Sequence, residues 1–175
     1  GQGFRARVLG YDPNVTADTM RALGVEKVDD LHAMLKQCDL VSVHCTLSDQ
    51  TRHLIGASEF AAMKPSAIFI NVSRGALVDE IALLIALKEK RIAGAGLDVF
   101  SQEPLALEGH PLSDLFGMDN VILMPHLTFY THEAMRRLED ETLERCFEAL
   151  EGRPVLVKSK DPRLTSQTHG VTFTP

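Results

Sequence analysis

Cysteine is scarce and carries no pattern: Cys38, Cys45 and Cys146 are an odd number without CxxC spacing. That argues against a disulfide framework or a zinc site and fits reduced thiols. Seven histidines are present, yet none falls in a HExxH or comparable ligand spacing, so no metal is expected. Also missing are the run of about 18 apolar residues that a membrane span needs and a signal peptide at the start. Positive charge is not in excess either. A formal charge of -6 and a pI near 5.6 lack the basic footprint that nucleic-acid phosphates require. No internal repeat or low-complexity tract is visible. The expectation left standing is a cytoplasmic globular protein. Its 45% hydrophobic and 24% charged composition is ordinary for that class. At 175 residues the chain suffices for one domain with a real core, or for a large piece of a two-domain protein.

Short apolar runs alternate with helical patterns. Arg7 to Asp12 predicts a strand ending in an acid and broken by Pro13-Asn14, followed by a helix from Thr16 or Ala17 towards Leu23, stopped by Gly24. Val25 to Val28 predicts a minor strand, and Asp30 to Cys38 a helix with Leu31, Met34 and Leu35 at helical spacing. Leu40 to His44 and the run through Ile68-Phe69-Ile70 predict strands of the kind buried on both faces of a parallel sheet. Between them, Glu59 to Met63 predicts a turn or two of helix, ended by Lys64-Pro65. Asp79 and Glu80 open an Ala/Leu/Lys-rich helix through Lys90. Gly94 to Phe100 and Val121 to Met124 predict the last strands. An amphipathic helix then runs from Glu133 to Gly152, with Met135, Leu138, Thr142, Cys146 and Leu150 as its expected buried face. The tail from Arg153 to Pro175 has no period and predicts an extended arm or disorder.

This alternation predicts an α/β fold, a doubly wound parallel sheet of Rossmann type. Right-handed crossovers would then bring Asp12, His44, Arg74, Asp98 and His126, each ending a separate strand, to one edge of the sheet. In such sheets ligands bind at that edge. Taken singly, each residue has an ordinary reading. Arg74 could be a solvated loop cation, Asp12 a turn aspartate before proline, His126 a surface histidine and Glu103 a solvated acid. Together, Arg74, Glu103 and His126 are the parts needed to reduce a 2-keto acid. An arginine fork grips the carboxylate and polarises the keto oxygen. A histidine paired with a carboxylate, its tautomer held and its pKa raised, gives that oxygen a proton. Asp12, placed to accept ribose hydroxyls and repel a 2′-phosphate, favours NAD over NADP.

Several stretches resemble the NAD-dependent D-isomer-specific 2-hydroxyacid dehydrogenases, the family of phosphoglycerate, glycerate and D-lactate dehydrogenases. They are Cys38-Asp-Leu-Val-Ser-Val-His44, Met63-Lys-Pro65, Ile70-Asn-Val-Ser-Arg-Gly-Ala-Leu-Val-Asp-Glu80, Gly94-Ala-Gly-Leu-Asp-Val-Phe100, Glu103-Pro-Leu105 and Asn120-Val-Ile-Leu-Met-Pro-His126. The resemblance covers residues 7 to 150. It implies that Arg74, Glu103 and His126 are catalytic. It further implies that Asp12, Cys45, Val72, Ser73, Arg74, Asp98 and His126 meet the cofactor, with Asp98 near the nicotinamide amide. It also implies an NAD-binding domain over residues 1–130, and a crossover helix and tail of the substrate domain over 131–175. A homodimer formed through the nucleotide domain is expected too. Because some relatives of the family are NAD-binding corepressors, a nucleotide-sensing interaction protein stays open as an alternative, as does a non-catalytic fragment of a dehydrogenase.

Three departures stand out. Thr46 sits where the family has proline, and Leu127-Thr-Phe-Tyr-Thr131 is bulkier than the usual small-residue turn, so that Phe129 and Tyr130 would reshape the pocket. A family member would also show a substrate domain and then a strand, G-x-G-x-x-G and a helix before the strand ending at Asp12, whereas here only Gly1-Gln-Gly3 precedes it. In the order 3-2-1-4-5-6 that strand is central, and without it two strands face a gap. The chain is therefore expected to be incomplete, or a fragment needing a complement, and alone neither to bind NAD tightly nor to turn over.

Overall fold

The computed structural model describes Gly3 and residues 5–155. The tail from residue 156 onward, expected to be extended or disordered, lies outside the described residues. Two compact units divide between Thr128 and Phe129.

In the first unit, strands and helices alternate in chain order. They are β1 (Leu9–Gly10), α1 (Ala17–Ala22), β2 (Glu26–Lys27), α2 (Leu31–Leu35), β3 (Leu40–Val43), α3 (Ala57–Ala62), β4 (Ile68–Asn71), α4 (Glu80–Lys88), β5 (Gly94–Leu97) and β6 (Val121–Leu123). Helix starts follow the chemistry of the chain. The side chains of Thr16, Asp30 and Asp79 each accept an N–H three residues on, from Thr19, Ala33 and Ala82. Gly24, at φ +73°, takes the left-handed turn that ends α1, its N–H bonding the Arg21 carbonyl at 2.9 Å.

All pairings are parallel. β3-β4-β5-β6 form one sheet in that order, and β1-β2 form a second. Among the described residues no ladder joins β1 to β3, as the expected gap requires. Gly10 and Val43 belong to strands whose open edges line one pocket of about 310 Å³.

The expected burial on both faces does not hold. Val41 and Val43 are buried whereas Leu40 is 59% exposed; Phe69 is fully buried whereas Ile68 stands out, and Ile122 on β6 is 70% exposed. The physical reason is one-sided packing. Leu35 of α2, Phe60 of α3 and Leu83 and Leu87 of α4 join Val41, Phe69 and Leu97 in one core cluster, and Phe60 meets Phe69 edge to face at 5.3 Å. Each such fully buried side chain contributes about 1.5–3 kcal/mol. Within this unit the helices in that cluster pack on one face of the sheet, and Leu40, Ile68 and Ile122 on the other stand exposed.

In the second unit α5 (His132–Leu150) is capped by the Thr131 hydroxyl, which accepts the Ala134 N–H at 3.1 Å. Its expected buried face is largely exposed: Met135 is half-buried, while Leu138, Thr142, Cys146 and Leu150 stand in solvent. The described part of this unit is little more than the helix, so the stripe has no surface of its own unit to bury against. No described helix is long and apolar enough to cross a membrane.

Candidate active site

Register decides what the edge of the sheet holds. Val43 pairs with Asn71, Asn71 with Leu97 and Leu97 with Leu123. The segments that leave these four positions, beginning at His44, Val72, Asp98 and Met124, therefore depart side by side from the carboxyl edge. Asp12 follows β1 on the other sheet and lines the 310 Å³ pocket together with His44 and Cys45.

At the end of β4 a buried Asn71 shapes the turn. Its amide donates to the Arg74 carbonyl at 3.0 Å and its side-chain oxygen accepts the Ser73 N–H at 3.1 Å, an Asx turn. Ser73 Oγ donates to the Cys45 carbonyl at 2.9 Å, tying the turn to the segment after β3. Arg74 is left extended and exposed, with Nη1 donating to the Ser73 carbonyl at 2.7 Å. Val72 is exposed on the same turn. Gly75 then presses directly on the next segment: a Cβ there would lie 2.1 Å from the carbonyl carbon of Phe100 and 2.2 Å from the Ser101 nitrogen. Only glycine permits that approach.

The segment it presses on carries the acid. Glu103 Oε1 accepts the Phe100 N–H at 2.9 Å, and Oε2 lies 3.0 Å from His126 Nδ1. The His126 hydrogen bond foremost, then the Phe100 N–H, holds the Glu103 carboxyl below its ordinary range against a smaller opposing effect of burial. An ionised carboxylate only accepts, so Nδ1 carries the hydrogen of this pair. The backbone of His126 sits in the left-handed region at φ +59°, a conformation costing roughly 1–2 kcal/mol for a residue with a Cβ.

Asp98 helps to hold that turn. Only 1% exposed, it accepts the Leu127 N–H at 2.8 Å, the Thr128 N–H at 3.0 Å and the Thr128 hydroxyl at 2.6 Å. Burial is the largest influence on its carboxyl and would raise the pKa. The Thr128 hydroxyl and N–H, the Leu127 N–H and the nearby His126 outweigh it, and the pKa is lowered. Both Asp98 oxygens are thus engaged by the turn.

Asp12 Oδ1 accepts the Asn14 N–H at 2.8 Å. Burial pushes the Cys45 thiol up, away from nucleophilic behaviour. His44 and Ser42 share a hydrogen bond at 2.8 Å on the exposed face. A pocket of about 490 Å³ opens beside the acid and histidine, walled by Phe100, Leu105, Phe116, Leu123 and Pro125 with Glu103 and His126 among its lining. The structure therefore joins Glu103, His126 and Asp98 by direct or adjacent hydrogen bonds. Among the described residues no hydrogen bond or ion pair joins Arg74 to them; its connection runs through the Gly75 contact.

Asn71 and Thr128 went unassigned in sequence, although both act here. Asn71 had a legible signal, an asparagine closing an apolar strand. Thr128 had none, because its partner lies 30 residues away.

Residues 1–128 match the family model described as the NAD-binding domain of D-isomer specific 2-hydroxyacid dehydrogenases. The chain is 40% identical over 151 residues to D-3-phosphoglycerate dehydrogenase of Methanocaldococcus jannaschii, covering 86% of this chain and 28% of that one. It is 45% identical over 133 residues to glyoxylate reductase of Thermococcus litoralis, covering 76% and 38%. Among solved structures, D-lactate dehydrogenase with NAD+ from Lactobacillus jensenii superposes with a TM-score of 0.76 at 31% identity, covering 88% of this chain and 48% of that one. The holo form of Rhodotorula graminis D-mandelate dehydrogenase also gives 0.76 at 31%, covering 99% and 46%. The chain thus spans less than half the length of these relatives.

Proposed function

Because the chain belongs to the D-isomer specific 2-hydroxyacid dehydrogenase family, through that family's NAD-binding domain, we propose that it serves hydride transfer between NAD(H) and a small 2-hydroxy or 2-keto acid. The observation that carries this reading is the 3.0 Å bond between Glu103 and His126 at the carboxyl edge of a parallel sheet.

The residues present fit two parts of a dinucleotide. Asp12, beside a pocket, offers a carboxylate to ribose hydroxyls, and its negative charge favours NAD over a 2′-phosphorylated cofactor. The turns carrying Cys45, Val72, Ser73, Arg74, Asp98 and His126 offer backbone and side-chain groups to the nicotinamide half. No G-x-G-x-x-G turn opens a helix among the described residues, so the pyrophosphate cradle is not theirs to supply. When bound, NADH supplies the hydride that reduces the keto carbon.

The chain's own residues do the rest. Arg74 grips the substrate carboxylate with its planar fork and polarises the keto oxygen. His126, its Nδ1–H held by ionised Glu103, delivers a proton from Nε2 to that oxygen as the carbon accepts hydride, giving the 2-hydroxy acid. In the reverse direction neutral Nε2 removes the hydroxyl proton. The names of the relatives, a dehydrogenase and a reductase of small acids, favour this enzyme over a nucleotide-sensing interaction protein or a non-catalytic remnant. The same resemblance extends the proposal to a cytoplasmic homodimer.

The test is NADH-dependent reduction of glyoxylate, hydroxypyruvate and pyruvate by the full-length protein. His126→Asn, which keeps a side chain tolerant of the left-handed backbone, is expected to lower kcat by about 10²–10⁴-fold. Arg74→Lys is expected to raise KM for the keto acid about tenfold or more, because lysine cannot form the fork. Turnover unchanged in His126→Asn would overturn the assignment.

A further inference from the structure

His110 is 7% exposed and has no part in the chemistry above. Its ring is nonetheless pinned by two bonds whose directions leave no choice. Nδ1 lies 3.0 Å from the Leu112 nitrogen, and a backbone N–H can only donate, so Nδ1 carries no hydrogen. Nε2 lies 3.0 Å from the Gln102 carbonyl, and a carbonyl can only accept, so Nε2 carries the hydrogen. The ring is therefore the neutral Nε2–H tautomer. Its two partners have opposite characters: Leu112 is buried in the core beside Leu115, whereas Gln102 is exposed and directly precedes Glu103. The His110 carbonyl further accepts the Ser113 N–H at 3.0 Å, so the residue is fixed to the 3₁₀ turn Ser113–Gly117 through its backbone as well.

We propose that His110 is a positioning residue for the acid–histidine pair: its Nε2–H holds the Gln102–Glu103 peptide against the core, so that Glu103 meets His126 Nδ1. The proposal rests on the dehydrogenase reading for its effect on turnover, but not for its effect on the His126 ring. Glu103 has one other tie to its own loop, the Phe100 N–H on Oε1, and that bond restrains a carboxylate end while leaving the backbone at Gln102 to His110.

Two substitutions separate the role from mere packing. His110→Gln can place an amide N–H where Nε2 stands and loses the acceptor at Nδ1; His110→Asn can place an oxygen where Nδ1 stands and loses the donor to Gln102. In the full-length protein, Asn is expected to lower kcat about tenfold with KM for keto acid and NADH within about twofold. It is also expected to move the ¹⁵N shifts of the His126 ring away from the Nδ1–H form, while Gln keeps both near wild type. Equal losses in the two variants, or no change in either readout with Asn, would overturn the proposal. Should both variants fail to fold, the wild-type ¹⁵N spectrum still decides: any His110 form other than neutral Nε2–H at neutral pH refutes the bonds on which the role depends. If the wild type reduces no keto acid, the dehydrogenase reading fails by itself, and the His126 shifts continue to report on His110.

Discussion

Glu103 divides its two oxygens between its own loop and His126, and the lowered pKa that results has a definite consequence for pH. A carboxyl with a folded pKa below its unfolded one contributes stability that is fully present above the unfolded value of about 4.3. That contribution is lost as pH falls through the depressed folded value. Above about pH 5 Glu103 is ionised in both states and adds no slope. Glu103→Gln is therefore expected to flatten the acid limb of stability, measured by urea unfolding between about pH 3 and pH 5, and to lower kcat about tenfold or more at neutral pH. An unchanged acid limb would mean that the pair does not form in solution. At this scale Arg74, Glu103 and His126 could be singled out as candidates because each stands in a motif of fixed local spacing, and the 3.0 Å bond between Glu103 and His126 is what the structure adds. The residues that hold them were not. Thr128 reaches Asp98, and His110 reaches both Gln102 and Leu112, through contacts that exist only once the loops have folded.

Among elements, the turn after β4 and the loop after β5 behave as one piece, because Gly75 lies against the backbone at Phe100 and Ser101. The Ser101 N–H is held in turn by Glu80 Oε1 at 2.8 Å, from the first turn of α4. Gly75→Ala must push two backbones apart in a tightly packed region, at a cost of about 1–3 kcal/mol or more. It is expected to lower the unfolding midpoint and to reduce kcat beyond the loss of folded protein, because the same displacement moves Arg74 relative to Glu103. Thermal unfolding and steady-state kinetics on one preparation check this, and wild-type values in both would contradict the contact. The order and type of the strands and helices were legible from period and capping residues: Asp79 before an Ala/Leu run marks α4, and Gly24 marks the end of α1. Strand lengths were not. β1 reduces to Leu9–Gly10 because it pairs on one side only, with the equally short β2. Nor was the exposure of Leu138 and Leu150, since an apolar stripe states that a helix wants a partner without stating where the partner is.

For the whole molecule, the absence of a ladder between β1 and β3 leaves the β3 edge without backbone partners among the described residues. Sequence order and the fold resemblance anticipated this gap; the one-sided packing of β3 to β6 they did not, because residues such as Leu40, Ile68 and Ile122 look like core in a linear pattern. An open parallel edge beside a flat apolar face is a template on which further strands can add. The 175-residue chain on its own is therefore expected to self-associate in a concentration-dependent way through β3. Light scattering should rise more steeply than linearly with protein concentration, and Ser42→Pro, which blocks an edge but leaves the core residues Val41 and Val43 in place, should suppress it. Equal scattering by the two chains would place the sticky surface elsewhere. In practical terms the working lifetime of this chain would depend on how often two copies meet, so that dilution is expected to prolong it.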